Sequence, residues 1–236
     1  MLELTLNDYA NSLLNLIDPK VMDDREVDIR QVKNWIVETR ASFLKNKLNQ
    51  NRFFDESIVQ TITGNNFSMT YKERLDDFFI FESNIKIPKL IPLDTGPAIV
   101  KVGPESMLAP SFKLYTDIRQ IAFAGGNRFN KHLPMAYMDG LLLSIKTTDP
   151  LFAIKYSGKL VVVGVFIDPR ELSGFVNKEG SPIYSDSYTP FPLHLDMKNF
   201  IDKEILQNKF SITEQSIPDE VNDGKDNSIE KMQRKK

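Results

Sequence analysis

Histidine and cysteine, the side chains best suited to proton transfer and nucleophilic attack near neutral pH, are scarce in this sequence. The histidines are His132, before Leu133-Pro134, and His194, within Pro192-Leu193-His194-Leu195-Asp196, 62 positions apart. Beside a serine and a carboxylate either would serve as a general base, but neither stands in a nucleophile motif. Ordinary loop or interface roles are the simpler reading, and two imidazoles leave little for a metal cluster or proton shuttle. The chain has no cysteine, which excludes disulfides, thiolate metal sites and cysteine nucleophiles together. Asp23-Asp24 and Asp76-Asp77 are paired acids, but catalytic carboxylates converge from separate elements, so these read as solvated acids or helix caps. Ala124-Gly125-Gly126-Asn127-Arg128-Phe129 is glycine-rich and followed by a base. It lacks the Walker spacing and a clear strand-to-helix switch, so a loop bend fits it better than a phosphate cradle.

With no cofactor or metal set in view, binding candidates come next. Trp35, the single tryptophan, stands beside Ile36 on a long helical pattern. Core packing is its first expectation and a subunit contact its second. Lys231-Met232-Gln233-Arg234-Lys235-Lys236 is a compact basic cluster, suited to nucleic acid or an acidic neighbour, or simply a solvated end.

The elements that must hold these residues have ample core material. Of 236 residues, 41% are hydrophobic and 16 are Phe, which excludes wholesale disorder and suits one domain with appendages or two small ones. A net charge of −2 argues against a cationic nucleic-acid coat over the whole chain. The opening residues lack a signal peptide's positive and apolar regions. The longest uncharged apolar run, Leu160 to Ile167, falls well short of the ~20 residues a membrane helix needs. A soluble protein that stays where it is made is the expectation.

Residues 1–56 read as helical. Asn7 or Asp8 would cap a short helix carrying Leu13, Leu14, Leu16 and Ile17, ended by Asp18-Pro19. A longer helix from about Asp24 to Gln50 follows a capping-box-like Asp23-x-x-Glu26, with Ile29, Val32, Ile36, Phe43, Leu44 and Leu48 on one stripe. Residues 57–190 read as β-rich. Asp139-Gly140 predicts a two-residue hairpin turn, and Ser157-Gly158 a second hairpin joining strands at Leu151–Tyr156 and Lys159–Ile167. A weaker hairpin surrounds Lys178-Glu179-Gly180, and a turn surrounds Gly64-Asn65-Asn66. The run from Val161 to Ile167 alternates too little for a half-solvated strand and belongs at a sheet centre. Residues 191–210 form an extended Pro190/Pro192 connector and a helix capped by Asp196, with Phe200, Ile201 and Ile205 on one face. Residues 211–236 form a polar arm that cannot offset its own ordering entropy without a partner. The fold class is therefore α+β with an antiparallel sheet.

The central block also carries a resemblance. Ile87-Pro88-Lys89, Val102-Gly103, Phe123 to Phe129, the Asp139-Gly140 hairpin and Val165-Phe166-Ile167-Asp168-Pro169 stand in this order. With Arg40 and Phe53-Phe54-Asp55 on and after the long helix, that order resembles virion structural proteins of crAss-like and other podovirus-type tailed phages. The likeness covers roughly residues 20–175. It departs from the family pattern at Ile167, where an acid is usual, and finds no motif in the C-terminal arm. It implies a non-enzymatic head-to-tail connector, or portal adaptor, without cofactor or metal. About a dozen copies would close into a ring around the DNA channel. The implied partners are the portal, the next tail component and, non-specifically, packaged DNA, with no membrane; the implied location is the virion, after assembly in the bacterial host cytoplasm. Trp35, Phe210, Ile212, Ile217, Ile229 and Met232 are the expected partner-binding residues, because apolar anchors supply most of the binding energy of a polar arm. Alternatives are another tail ring or minor tail protein, a host-surface binding module using Tyr184 and Tyr188, and a small hydrolase using His132 or His194. The segment Asp168-Pro169-Arg170-Glu171 has a local account: Asp168 caps a short helix that begins at Pro169.

Overall fold

The structure, a computed structural model, describes residues 4–17, 27–51, 55–106, 110–116, 120 and 133–209. The first helix, α1 (Leu6–Ile17), is capped by Thr5 rather than by Asn7 or Asp8. Thr5 Oγ1 accepts the Asp8 N–H at 3.2 Å and donates to Asp8 Oδ2 at 2.7 Å, so the N-cap hydroxyl is tied to both the backbone and the carboxylate of Asp8. Leu6, Tyr9, Ala10, Leu13 and Ile17 form its buried stripe; Leu16, expected among them, falls outside that spacing and is exposed.

The long helix, α2 (Ile29–Asn51), begins later than expected. Asp28 is its cap, accepting the Arg30 N–H on Oδ1 at 2.8 Å and the Gln31 and Val32 N–H groups on its carbonyl. The anticipated box at Asp23 lies outside the described residues. Val32, Ile36, Leu44 and Leu48 are buried as their spacing predicts, but so are Val37, Thr39 and Arg40. The buried face is wider than one stripe because α1, a loop strand β4 (Pro92–Leu93) and the C-terminal helix α4 (Leu195–Glu204) all pack on α2.

Two sheets stand beside these helices. The larger joins β2 (Met69–Leu75), β3 (Phe78–Ser83), β9 (Leu142–Thr147), β8 (Met135–Asp139) and β7 (Lys113–Leu114), in that spatial order. The smaller places β10 (Leu160–Gly164) between β1 (Gln60–Thr63) and β6 (Ile99–Pro104), so the Val161–Val163 run is central as expected. A two-stranded ribbon pairs β4 with β5 (Gly96–Pro97). Pairing is antiparallel except for β7 with β8, which is parallel and corrects the purely antiparallel expectation. Together with the helices this is an α+β fold.

Turn chemistry located some connections and misplaced others. Asp139 pairs with Leu142, so the β8–β9 turn is centred on Gly140-Leu141, one residue later than expected, with Gly140 at φ +62° in the position that needs it. The expected strand at Leu151–Tyr156 is instead a short helix, α3 (Phe152–Lys155). Asp149 starts it by accepting the Leu151 N–H on its side chain and the Phe152 N–H on its carbonyl. The Phe152 ring then packs on Phe81 and Phe112, at 5.5 and 5.6 Å. The hairpin expected there does not form, and β10 pairs with β1 and β6. The weaker hairpin survives as a Val176–Pro182 bridge with an Ile183 N–H to Phe175 carbonyl bond of 2.8 Å. Pro169–Gly174 is a 3₁₀ helix whose N-cap is Asp168, as expected. α4 is capped by His194, not Asp196, with His194 Nδ1 accepting the Asp196 N–H at 3.4 Å.

One buried cluster includes residues of α1, α2, both sheets and α4, from Leu6 to Ile205. Arg40 lies inside this apolar volume with 0% exposure. Its Nε donates to the Pro192 carbonyl at 2.7 Å, its Nη1 donates to the Phe166 carbonyl at 3.0 Å, and its guanidinium stands 5.6 Å from the Phe191 ring centre. Burial lowers its pKa to about 10, while Tyr184 and Asp168 act against that shift, so it stays charged at neutral pH. Arg40 thus links α2, the strand exit at Phe166 and the C-terminal connector. Replacing Arg40 with Ala should cost about 3 kcal/mol, because two buried carbonyls lose their donors and a cavity opens. Denaturant unfolding of the variant measures it, and a loss below about 1 kcal/mol, the worth of a single ordinary hydrogen bond, would contradict the assignment.

Tyr9 ties α1 to α4 through a 2.7 Å bond from its hydroxyl to Asp202 Oδ1. Burial, aided by Asp202, raises its pKa well above the ordinary value of 10.0. A phenol whose folded-state pKa is raised lends stability that is complete below its unfolded pKa and declines as pH rises past it. Stability should therefore fall above pH 10, and Tyr9→Phe should flatten that alkaline limb while leaving the acid limb unchanged.

Candidate subunit-contact surfaces

The most exposed apolar groups gather on identifiable elements. On the β2–β3 hairpin, β2 is an edge strand with residues 70–75 exposed on both faces. Its turn, Asp76-Asp77, has Asp76 at φ +54°, so this acidic pair is a hairpin tip and not a helix cap. A register shift between Tyr71 and Glu73 bulges the edge at Lys72. Lys72 Nζ reaches Glu82 at 2.6 Å and Asp139 at 3.3 Å, and its hydrogen bond to Glu82 chiefly raises its pKa. A bulge and bound charges of this kind discourage indiscriminate strand pairing along an open edge.

Apolar surface persists beside these charges. Tyr71 meets Phe81 edge-on at 6.1 Å, and Phe81 meets Phe152, so one ring series runs from the exposed hairpin through the core to α3. At α3 the chain exposes Leu151 by 61% and Ile154 by 77%, three residues apart and therefore on one side of the turn. On the larger sheet Lys146 is buried with its ammonium 4.2 Å from the Phe78 ring centre, and burial lowers its pKa. A second exposed region involves the connector, where Tyr188 is 89% exposed within a turn held by the Asn7 N–H to Asp186 carbonyl bond and a 2.9 Å Lys33–Asp186 ion pair. A third is a ledge on α2 and α4, where Phe43 and the half-exposed Phe200 meet at 4.8 Å.

The chemically capable residues have structural occupations. His194 Nδ1 serves as the α4 cap acceptor, and its Nε2 lies 4.0 Å from Asp55 Oδ2. Asp55 is held below its usual carboxylate pKa, chiefly by the Ser57 N–H at 2.8 Å. Asp168 caps the 3₁₀ helix and receives Arg170 Nη2 at 2.8 Å. Among the described residues no group of three or more histidines and carboxylates is placed to hold a metal ion, and no helix is long and apolar enough to cross a membrane.

The expected partner-binding residues fall in two sets. Trp35 lies in the core cluster with 9% exposure, the first of its two expectations. Phe210, Ile212, Ile217, Ile229 and Met232 lie outside the described residues, as do His132, Gly125-Gly126, Asp23-Asp24 and the 231–236 basic cluster. Tyr184, grouped with Tyr188 as a surface tyrosine, is instead buried close to Arg40, and burial raises its pKa. Tyr71, Leu75, Leu151 and Ile154 were not singled out in the sequence, because nothing in a Leu or Ile at strand or helix spacing tells its solvent side from its core side.

Comparison with known families decides what class of protein carries these surfaces. The model of a family described as phage tail ring protein 2 matches residues 13–228. The chain belongs to that family. A search of the curated proteins finds no match. The match begins within α1 and runs well past residue 175, into the polar arm that the motif resemblance did not reach. This tail ring protein is accordingly a structural component of the phage virion, in keeping with its crAss-like resemblance.

The α3 surface of the ring protein yields a direct contrast. Leu151→Ser with Ile154→Ser should leave the unfolding free energy of the isolated chain within about 0.5 kcal/mol, because neither side chain is buried. Phe152→Ala, between them, should cost about 3–4 kcal/mol. Equal losses in the two variants would show that α3 does not present Leu151 and Ile154 to solvent.

Proposed function

We propose that this tail ring protein forms the ring joining head to tail, docked beneath the portal with its copies closing around the axial DNA channel. The observation that carries this reading is the family match over residues 13–228, joined to a subunit that keeps several separate apolar surfaces exposed. Ring contacts are heterologous, so a subunit needs one surface for the neighbour on its left and a different one for the neighbour on its right. The hairpin–α3 surface is a candidate for one of these, and the Tyr188 region or the Phe43–Phe200 ledge for the other. The role is mechanical and involves no bond made or broken: the ring adapts the portal to the tail and seals packaged DNA until ejection. The arm from Phe210 onward reaches neighbouring chains of the assembly, with Ile212, Ile217, Ile229 and Met232 as its buried anchors, and the 231–236 basic cluster meets an acidic neighbour or DNA phosphates. A ring farther along the tail is the second reading, favoured by the family's description as a tail ring.

Reconstruction of the intact virion tests both. The expected result is a ring of about a dozen copies touching the portal, with Ile154 and the arm anchors covered by neighbouring chains. A ring with no portal contact would select the second reading, and a chain outside any coaxial ring would overturn both.

A further inference from the structure

Between the β8–β9 turn and the β4–β5 ribbon lies an open apolar groove of about 370 Å³. Pro88, Leu90, Pro92, Pro97, Met138 and Leu141 line it. Lys89 borders the groove, and Lys86 stands at an adjoining hollow that shares Pro88, Lys89 and Leu141 with it. Both lysines are exposed. Among the described residues that line the two hollows the acid is Glu171, which accepts the Lys89 backbone N–H at 3.2 Å. The site therefore offers an apolar floor bordered by two exposed lysines, and suits a short extended segment with an aliphatic anchor followed by carboxylates.

The sequence after the last described residue, Lys209, contains such a segment: Ile217-Pro218-Asp219-Glu220. A residue before proline is biased to an extended backbone, and proline brings no N–H donor that an apolar wall would leave unpaired. Part of the ordering cost of docking is thus already met by the local chain. Ile212 and Ile229 lack a following proline, and Met232 lies between Lys231 and Arg234, bases that Lys86 and Lys89 would repel. Ile217 stands eight residues beyond Lys209, a span of at most about 28 Å when extended, enough to leave the surface of its own subunit.

We infer that the groove receives the Ile217–Glu220 segment of a second copy of this chain. Ile217 and Pro218 lie on the proline-rich floor, and Asp219 and Glu220 face Lys89 and Lys86. The inference rests on the ring reading, because it gives the arm a heterologous seat on the neighbouring subunit.

The absence of cysteine permits a clean test. Full-length Leu141→Cys and Ile217→Cys chains are mixed under oxidising conditions, where a bridge requires Cα atoms within about 7 Å. Lys89→Cys, at an exposed position, serves as a second groove variant in case Leu141→Cys misfolds. The expected result is a covalent heterodimer of groove and arm variants well in excess of either homodimer. Asp219→Lys with Glu220→Lys in the arm chain should lower its yield several-fold, and Lys86→Glu with Lys89→Glu in the Leu141→Cys partner should restore it. Homodimers at or above the heterodimer yield would overturn the inference, as would closure only within one chain in the doubly substituted protein. Rings in the virion without this crosslink would sink the groove assignment alone; the crosslink in a chain absent from any ring would sink the ring reading alone.

Discussion

A guanidinium held inside an apolar core is the constraint around which the rest of this subunit is arranged. Arg40 gives up its hydration on entering the cluster, and the carbonyls of Phe166 and Pro192 together with the Phe191 ring replace it. Those carbonyls belong to segments remote from Arg40 and from each other in sequence. Nε and Nη1 of the arginine are therefore paired only when α2, the end of the β10 strand segment and the C-terminal connector arrive together, while its buried Nη2 has no hydrogen-bond partner among the described residues. A planar fork with fixed donor directions imposes that meeting more sharply than a flexible ammonium would. Apolar packing drives the collapse, and the buried charge penalises arrangements that bring the wrong backbone to it.

That arrangement bears on assembly. The connector pinned at Pro192 leads into α4, which Tyr9 and Asp202 tie to α1, so the point from which the arm departs has a defined position on the subunit. The ring series Tyr71–Phe81–Phe152 couples an exposed hairpin to the core. A subunit that must mate with copies of itself gains from fixed contact surfaces, since less side-chain and loop freedom is lost on association. Exposed apolar groups on such a frame are the expected state of a ring component before its neighbours arrive.

Much of the architecture was readable residue by residue. The stripe on α2, the central place of Val161–Val163, the Asp168-Pro169 cap and the helical, then β-rich, then helical order all follow from periodicity and local backbone preference. Other features were not readable from composition and spacing alone. The β2–β3 hairpin turns through Asp76-Asp77 without the glycine or asparagine that usually marks such a turn. Leu151–Tyr156 has a strand's composition, yet an Asp149 cap and the pocket between Phe81 and Phe112 make it helical. His194 caps α4 because the extended connector brings its ring over the Asp196 N–H, a geometry that the letters His-Leu-Asp do not specify.

Composition and local pattern are enough to exclude thiol chemistry, to leave two imidazoles, and to give the α+β class and a polar arm with isolated aliphatic anchors. It also carried the ordered motifs that resemble phage virion proteins. That Tyr184 and Arg40 turn inward while Tyr71, Leu151, Ile154 and Tyr188 turn outward emerges from long-range packing. The physical reason is that composition and spacing fix what each segment prefers locally. Which face of a segment is covered depends on free energies of burial that exist only once distant segments have met.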